Sequence, residues 1–247
     1  GEIAEVKPLP PFSEDVCRFL SEVSEEIFRS KECKPYPDII AVAFWLRRGN
    51  IAKLKNRRTD DYIRLGRGLA FHITPSNIPV QFMFSYAFGL LAGNANIVRV
   101  TSKEFPQIDL LCDILNRVLS KDEYAVIRNM TCIVRYSRAS EKTMEYSAKC
   151  NVRLIWGGDD TINAIRKNPL PPRAFDVTFA DRYSIAFLRS EAVSKLDDAE
   201  LARHAKNFYN DTFLMDQNAC SSPQLILWSK DGFEDSAKEK FWRAVER

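Results

Sequence analysis

The stretch GLAFHITPSNIPVQFMFSYAFGLLAGNANIVRVTSK, residues 68–103, decides the fold. Residues 68–73 are apolar and β-prone, and Thr74-Pro75-Ser76-Asn77 breaks them. Pro79 suits a first helical turn, where a missing N–H costs nothing. Residues 80–91 are apolar almost all round, the pattern of a helix buried on more than one face. Gly93-Asn94 is a helix stop, and residues 96–100 are a second strand. A buried strand–helix–strand unit with such tight connections predicts a parallel sheet. Ligands of such sheets bind at the carboxyl ends of the strands, here around residues 74–77 and 100–103.

Working outward, helical spacing runs through residues 13–30 (Val16, Phe19, Leu20, Val23, Ile27, Phe28), and a second helix is expected over 38–48. Further helices are expected over 108–119, 140–149, 161–167 and 197–209. Strands are expected over 131–136, 152–156, 175–179, 183–188 and 224–228. Strands alternating with helices predict a doubly wound α/β domain preceded by a helical segment.

Composition narrows the function classes. The chain has 247 residues, and its net charge of +3 is spread over scattered Lys and Arg, which argues against nucleic-acid binding. No apolar run reaches membrane-spanning length, and no charged-then-apolar leader opens the chain. Six widely spaced cysteines without a C-x-x-C pair, beside two histidines, argue against a metal site or disulfide framework and for a reducing cytoplasm. Residues 239–247 end abruptly in an amphipathic helical pattern, which points to a fragment.

Few residues are placed for chemistry. No G-x-G-x-x-G follows a strand. Gly157-Gly158 follows the strand VRLIW and opens a helix, so its N–H groups could face a pyrophosphate; a plain tight turn is the competing reading, and Asp159-Asp160 would repel a phosphate. Arg99, with Thr101, Ser102 and Lys103 just beyond, could hold a ribose or 2′-phosphate, or a surface salt bridge. The Asn77 amide could donate to an oxyanion, or cap the helix. Cys220 lies in MDQNACSSPQ, a polar loop of small residues, the context that exposes a thiol for nucleophilic chemistry. Cys112 and Cys132 have apolar neighbours, and Cys33 lies in a charged linker. His204 reads as a surface residue of a helix, and His72 as a satisfied histidine of the core.

Together, TPSNIP (residues 74–79), LLAGNANIVRV (90–100), Gly157-Gly158 and DQNACSSPQ (216–224) resemble the aldehyde dehydrogenase superfamily, and within it the acyl-CoA reductases of the LuxC type. The resemblance implies the following. Cys220 is the nucleophile that takes the acyl group. Asn77 and the Cys220 N–H form the oxyanion hole. Thr74, Pro75, Arg99, Ser102, Lys103, Gly157, Gly158 and Thr178 face the cofactor, NADPH. The glutamate base of hydrolytic relatives is missing from DVTFADRYS, where Thr178 falls near its place, as suits an enzyme that must not hydrolyse its acyl-thioester. It further implies acyl-CoA or an acylated protein thioester as substrate, an acyl-protein synthetase as partner, and a homo-oligomer at full length. The implied division is a helical segment 1–60, an NADP-binding domain 61–212, and the nucleophile loop with the start of an incomplete catalytic domain at 213–247. Two rivals are a non-acylating aldehyde dehydrogenase and a non-catalytic nucleotide-binding module.

Overall fold

A computed structural model describes residues 3–57, 62–214 and 216–247. The chain forms two compact units, Gly1–Ala180 and Asp181–Arg247.

The first unit is built on a parallel sheet of β1 (Leu69–Ile73), β2 (Ala95–Val100), β3 (Thr131–Arg135), β4 (Val152–Trp156) and β5 (Phe175–Phe179), in the order β3-β2-β1-β4-β5. Its strands match the expected ones to within a residue or so. The chain winds outward from β1 to β3 and then returns to place β4 on the other side of β1. The carboxyl ends of β1 and β4 therefore flank the point where strand order reverses, the crevice where open α/β sheets bind ligands.

Both faces of the sheet are covered, as period-2 alternation requires. His72 of β1 points to α4 (Gln81–Leu91), where it meets Ser85. Its neighbour Phe71 points the other way, and its ring meets Tyr146 of α7 (Lys142–Lys149). β1 and β2 are buried at every position, which explains their unbroken apolar reading.

The amino-terminal helices α1 (Glu14–Arg29), α2 (Pro37–Leu46) and α3 (Arg48–Asn56) belong to this unit. Val16, Phe19, Leu20, Val23 and Ile27 form a fully buried stripe along α1. Each such side chain contributes about 1.5–3 kcal/mol. The expected 60/61 boundary falls within residues 58–61, outside the described ones. Pro37 opens α2, just as Pro106 opens α5 (Pro106–Leu119). The short α6 (Ala125–Asn129) was not expected from the sequence. The helix α8 (Asp159–Arg166) starts earlier than 161 because Gly158 serves as its N-cap and Asp159 and Asp160 favour its first turn.

The second unit pairs β6 (Ser184–Leu188) with β7 (Pro223–Trp228) in parallel. It is joined by α9 (Ser190–Lys195), α10 (Asp198–Thr212) and α11 (Glu234–Val245). Val193, Leu201, Ala237 and Phe241 are its core, with Leu188, Phe208, Trp228 and Trp242 packed around them. A capping box of Asp197 and Glu200 opens α10. The break falls at Ala180/Asp181 rather than at the expected 212/213. The physical reason is that β6 finds its strand partner in β7, and Phe208 of α10 packs its ring on Phe241 and Trp242 of α11.

Candidate active site

Parallel strands bring their carboxyl ends to one edge of the sheet, and nine of the ten expected site residues follow from that edge. Thr74 is buried, and both its N–H and its hydroxyl donate to the Arg99 carbonyl, at 3.2 and 2.8 Å. This ties the ends of β1 and β2 together. Pro75 is half-buried and Asn77 exposed, in the turn before α4. Ser102 and Lys103 are exposed just past β2, where the Lys103 N–H donates to Thr101 Oγ1. Thr178 is half-buried on β5 and pairs with Ile155, two residues before Gly157.

Arg99 is buried to 9% exposure, its Nη2 donates to the Tyr136 carbonyl at 3.3 Å, and its guanidinium lies 5.0 Å over the Tyr136 ring. Its Nε has no partner, and no carboxylate pairs with it among the described residues. Burial lowers the pKa of this guanidinium; Tyr136 opposes that shift and the nearby charge of Arg138 adds to it. A buried cation without an anion is costly, so the end of β2 suits a phosphate or another anion.

Gly158 caps α8 with no side-chain hydrogen bond. The Gly157 N–H already donates to the Phe179 carbonyl at 3.2 Å. The donors left for a pyrophosphate are therefore those of Gly158 and the first turn of α8.

A line of hydrogen bonds runs through the core beneath this edge. Trp156 Nε1 donates to Ser85 Oγ at 3.0 Å, His72 Nδ1 lies 2.8 Å from the same hydroxyl, and His72 Nε2 lies 2.9 Å from Asn96 Oδ1. Asn96 Nδ2 donates to the Asn94 carbonyl at 2.6 Å, so its Oδ1 must accept from His72. That assigns the proton to Nε2 and makes Nδ1 the acceptor of the Ser85 hydroxyl. Every group is then matched, with a neutral ring. Burial drives the His72 pKa down to about 4, only partly offset by the Asn96 bond.

Of the six cysteines, Cys220 alone is exposed. Burial raises the thiols of Cys112 and Cys150 to a pKa of about 11, and also raises those of Cys17 and Cys132. Cys33 lies in the linker between α1 and α2, as expected, but its side chain is fully buried. The Cys220 loop is conformationally constrained: Asp216 and Gln217 both have positive φ, 47° and 58°. Non-glycine residues adopt such angles at a cost of about 1–3 kcal/mol each, and they cluster at functional sites. Ser184 Oγ donates to the Cys220 carbonyl at 2.6 Å, and Ser222 anchors the loop's end to the Asp211 carbonyl at 3.1 Å. Met215 lies outside the described residues. Asn77 stands on the first unit and Cys220 on the second.

The family model for acyl-CoA reductase (LuxC) matches residues 46–242. The chain belongs to this LuxC family. A long-chain acyl-protein thioester reductase of Vibrio harveyi is 27% identical over 179 residues, which are 70% of this chain and 35% of that protein. Solved aldehyde dehydrogenases share the fold. A lactaldehyde dehydrogenase aligns with a TM-score of 0.66 at 15% identity, over 96% of this chain and 52% of its own. A glyceraldehyde-3-phosphate dehydrogenase from Methanocaldococcus jannaschii, solved with NADP, aligns at 0.65 and 16%, over 99% and 55%. An NAD-dependent benzaldehyde dehydrogenase from Corynebacterium glutamicum aligns at 0.64 and 14%, over 99% and 56%. The chain thus spans about a third of the curated LuxC relative and about half of these structures.

Sequence reasoning passed over Trp156, Ser85, Asn96, Phe179 and Tyr136. A signal was present for three of the residues on the buried line. His72, Ser85 and Asn96 are polar residues inside the apolar runs LAFHI, QFMFSYAFGLL and ANIVRV, and adjoining elements must satisfy one another's buried polar groups. Among the described residues no cluster of His, Cys, Asp and Glu is suited to a metal, and no helix is long and apolar enough to cross a membrane.

Proposed function

We propose that this LuxC-family chain carries the nucleotide edge and the nucleophile of a reductase that converts an acyl thioester to an aldehyde. The observation that carries the reading is Cys220: the one exposed thiol, in a constrained loop, on a fold otherwise organised around a nucleotide crevice.

The Cys220 thiolate attacks the thioester carbonyl, and its N–H and the Asn77 side chain hold the oxyanion. The C–S bond to coenzyme A, or to another thiol carrier, breaks, and an acyl-cysteine remains. NADPH, when bound, supplies the hydride. The resulting thiohemiacetal collapses, releasing aldehyde and restoring the Cys220 thiolate. The family resemblance puts Thr178, on β5, near the position of the hydrolytic base; a hydroxyl is a poor base for activating water, which supports an acyl-cysteine that survives until it is reduced.

NADPH is favoured over NADH by the buried Arg99, with Ser102 and Lys103 nearby and no carboxylate pairing with the guanidinium among the described residues. Arg99, Gly158 and the first turn of α8 would hold the phosphates, with Thr74 and Pro75 shaping the crevice wall. Acyl-CoA or an acylated protein is the proposed substrate, an acyl-protein synthetase the proposed partner, and a homo-oligomer the proposed assembly. Single-turnover acylation tests the oxyanion assignment. Asn77→Ala is expected to slow acyl transfer about 10²–10³-fold with the fold retained; an unchanged rate removes Asn77 from the mechanism.

A further inference from the structure

We propose that Trp156 is a positioning residue for the nucleotide site, with its indole set by Ser85 and the ring of Phe179 so that the Gly157-Gly158 turn is held rigid. The inference rests on the reading of that turn as part of the cofactor crevice.

Three contacts meet at this turn. The Trp156 and Phe179 rings stack face to face, centroids 3.8 Å apart and planes 9° from parallel. The Gly157 N–H, the next peptide along, donates to the Phe179 carbonyl. Residues 156 and 157 are thus clamped to residue 179 twice, once through the rings and once through the backbone. The stack alone leaves the indole free to turn in its own plane. The Nε1 bond to Ser85 Oγ removes that freedom.

Ser85 is itself fixed. Its hydroxyl hydrogen is committed to His72 Nδ1, so it can only accept from the indole. His72 is fixed in turn by Asn96, and Asn96 by the Asn94 carbonyl. The line ties together β1, β2, α4 and β4, the elements around the crevice where strand order reverses. Gly89 leaves room for it: a Cβ there would overlap Asn96 Oδ1 and come within 2.9 Å of His72 Nε2. A fully matched buried network specifies one geometry. The peptides it delivers to the surface are those that open α8, whose N–H groups must sit within a few tenths of an ångström of productive positions to hold a pyrophosphate.

The test is a double-mutant cycle read in the dissociation constant for NADPH, by fluorescence titration of the whole chain. Trp156→Phe keeps an aromatic ring for the stack, removes the Nε1 donor and trims the indole to a single ring; Ser85→Ala removes the acceptor. Each is expected to weaken NADPH binding about fivefold to tenfold. The double variant should match the weaker single rather than multiply the two losses. Unchanged affinity in variants that merely melt earlier assigns the line to the core alone and overturns the inference. Independent, multiplying losses overturn it as well. Should Ser85→Ala not fold, Trp156→Phe decides alone, an unchanged dissociation constant overturning the proposal. Wild-type protein that fails to bind NADPH sinks the cofactor reading and this inference with it, an outcome distinct from wild type that binds and variants that bind equally.

Discussion

Acid sensitivity of the fold should be traceable to one ring. His72 is fully buried, and its pKa is held at about 4, where an unfolded imidazole protonates near 6.5. Between these values the unfolded chain binds a proton that the native chain refuses. Stability must therefore fall as the pH is lowered through 6.5, with the whole penalty in place below 4. The gap between the two values corresponds to roughly 3 kcal/mol at 1.36 kcal/mol per pH unit. From pH 7 to 4.5 the ring alone should remove roughly 2.5 kcal/mol. Carboxylates also titrate there, so the decisive quantity is a difference. Urea unfolding of wild type and His72→Gln across pH 4.5–7 should show the variant less stable at pH 7 but losing roughly 2.5 kcal/mol less on acidification. With only two histidines in the chain, imidazole NMR can read the same claim directly. It should find the proton on Nε2 of one ring that stays neutral at pH 5. A His72 that titrates near 6.5 in the folded protein, or parallel pH curves for the two proteins, would refute the buried neutral tautomer.

Three further outcomes follow from the same geometry. Arg153 is 1% exposed and forks onto Asp176 at 2.7 and 3.2 Å, so Asp176→Ala, which strands the guanidinium, should cost about 3–5 kcal/mol by urea unfolding. Gly89→Ala should destabilise by about 1–3 kcal/mol despite alanine's better helix propensity, because the added carbon collides with Asn96; a gain in melting temperature would show that the network gives way easily. A mild thiol reagent on native protein should modify Cys220 well ahead of Cys33 and Cys150, both fully buried, as peptide mapping can check; equal rates would favour a module without a nucleophile.

The order of the parallel elements could be read locally because their punctuation is local. Pro79, Gly93 and the apolar runs between them fix β1, α4 and β2 without reference to the rest of the chain. Cys33 could not be read that way. Its charged neighbours Lys31, Glu32 and Lys34 suggest solvent, yet its own side chain turns into the core. The division between units was hidden for a similar reason, since β6 is assigned by pairing with β7, far along the chain. The eight nucleotide-facing candidates reached one edge of one sheet because parallel strands leave no other place for the turns that follow them. The line from Asn96 to Trp156 was passed over because each member, taken singly, looks like an ordinary buried polar residue.

Identifying the acylated residue tests the nucleophile most directly. The protein is incubated with acyl-CoAs of graded chain length, without nucleotide, and digested for mass spectrometry. Acyl mass on the peptide containing Cys220, lost in Cys220→Ala, is the expected result. Acylation that persists in that variant, or that maps to another cysteine, would contradict it.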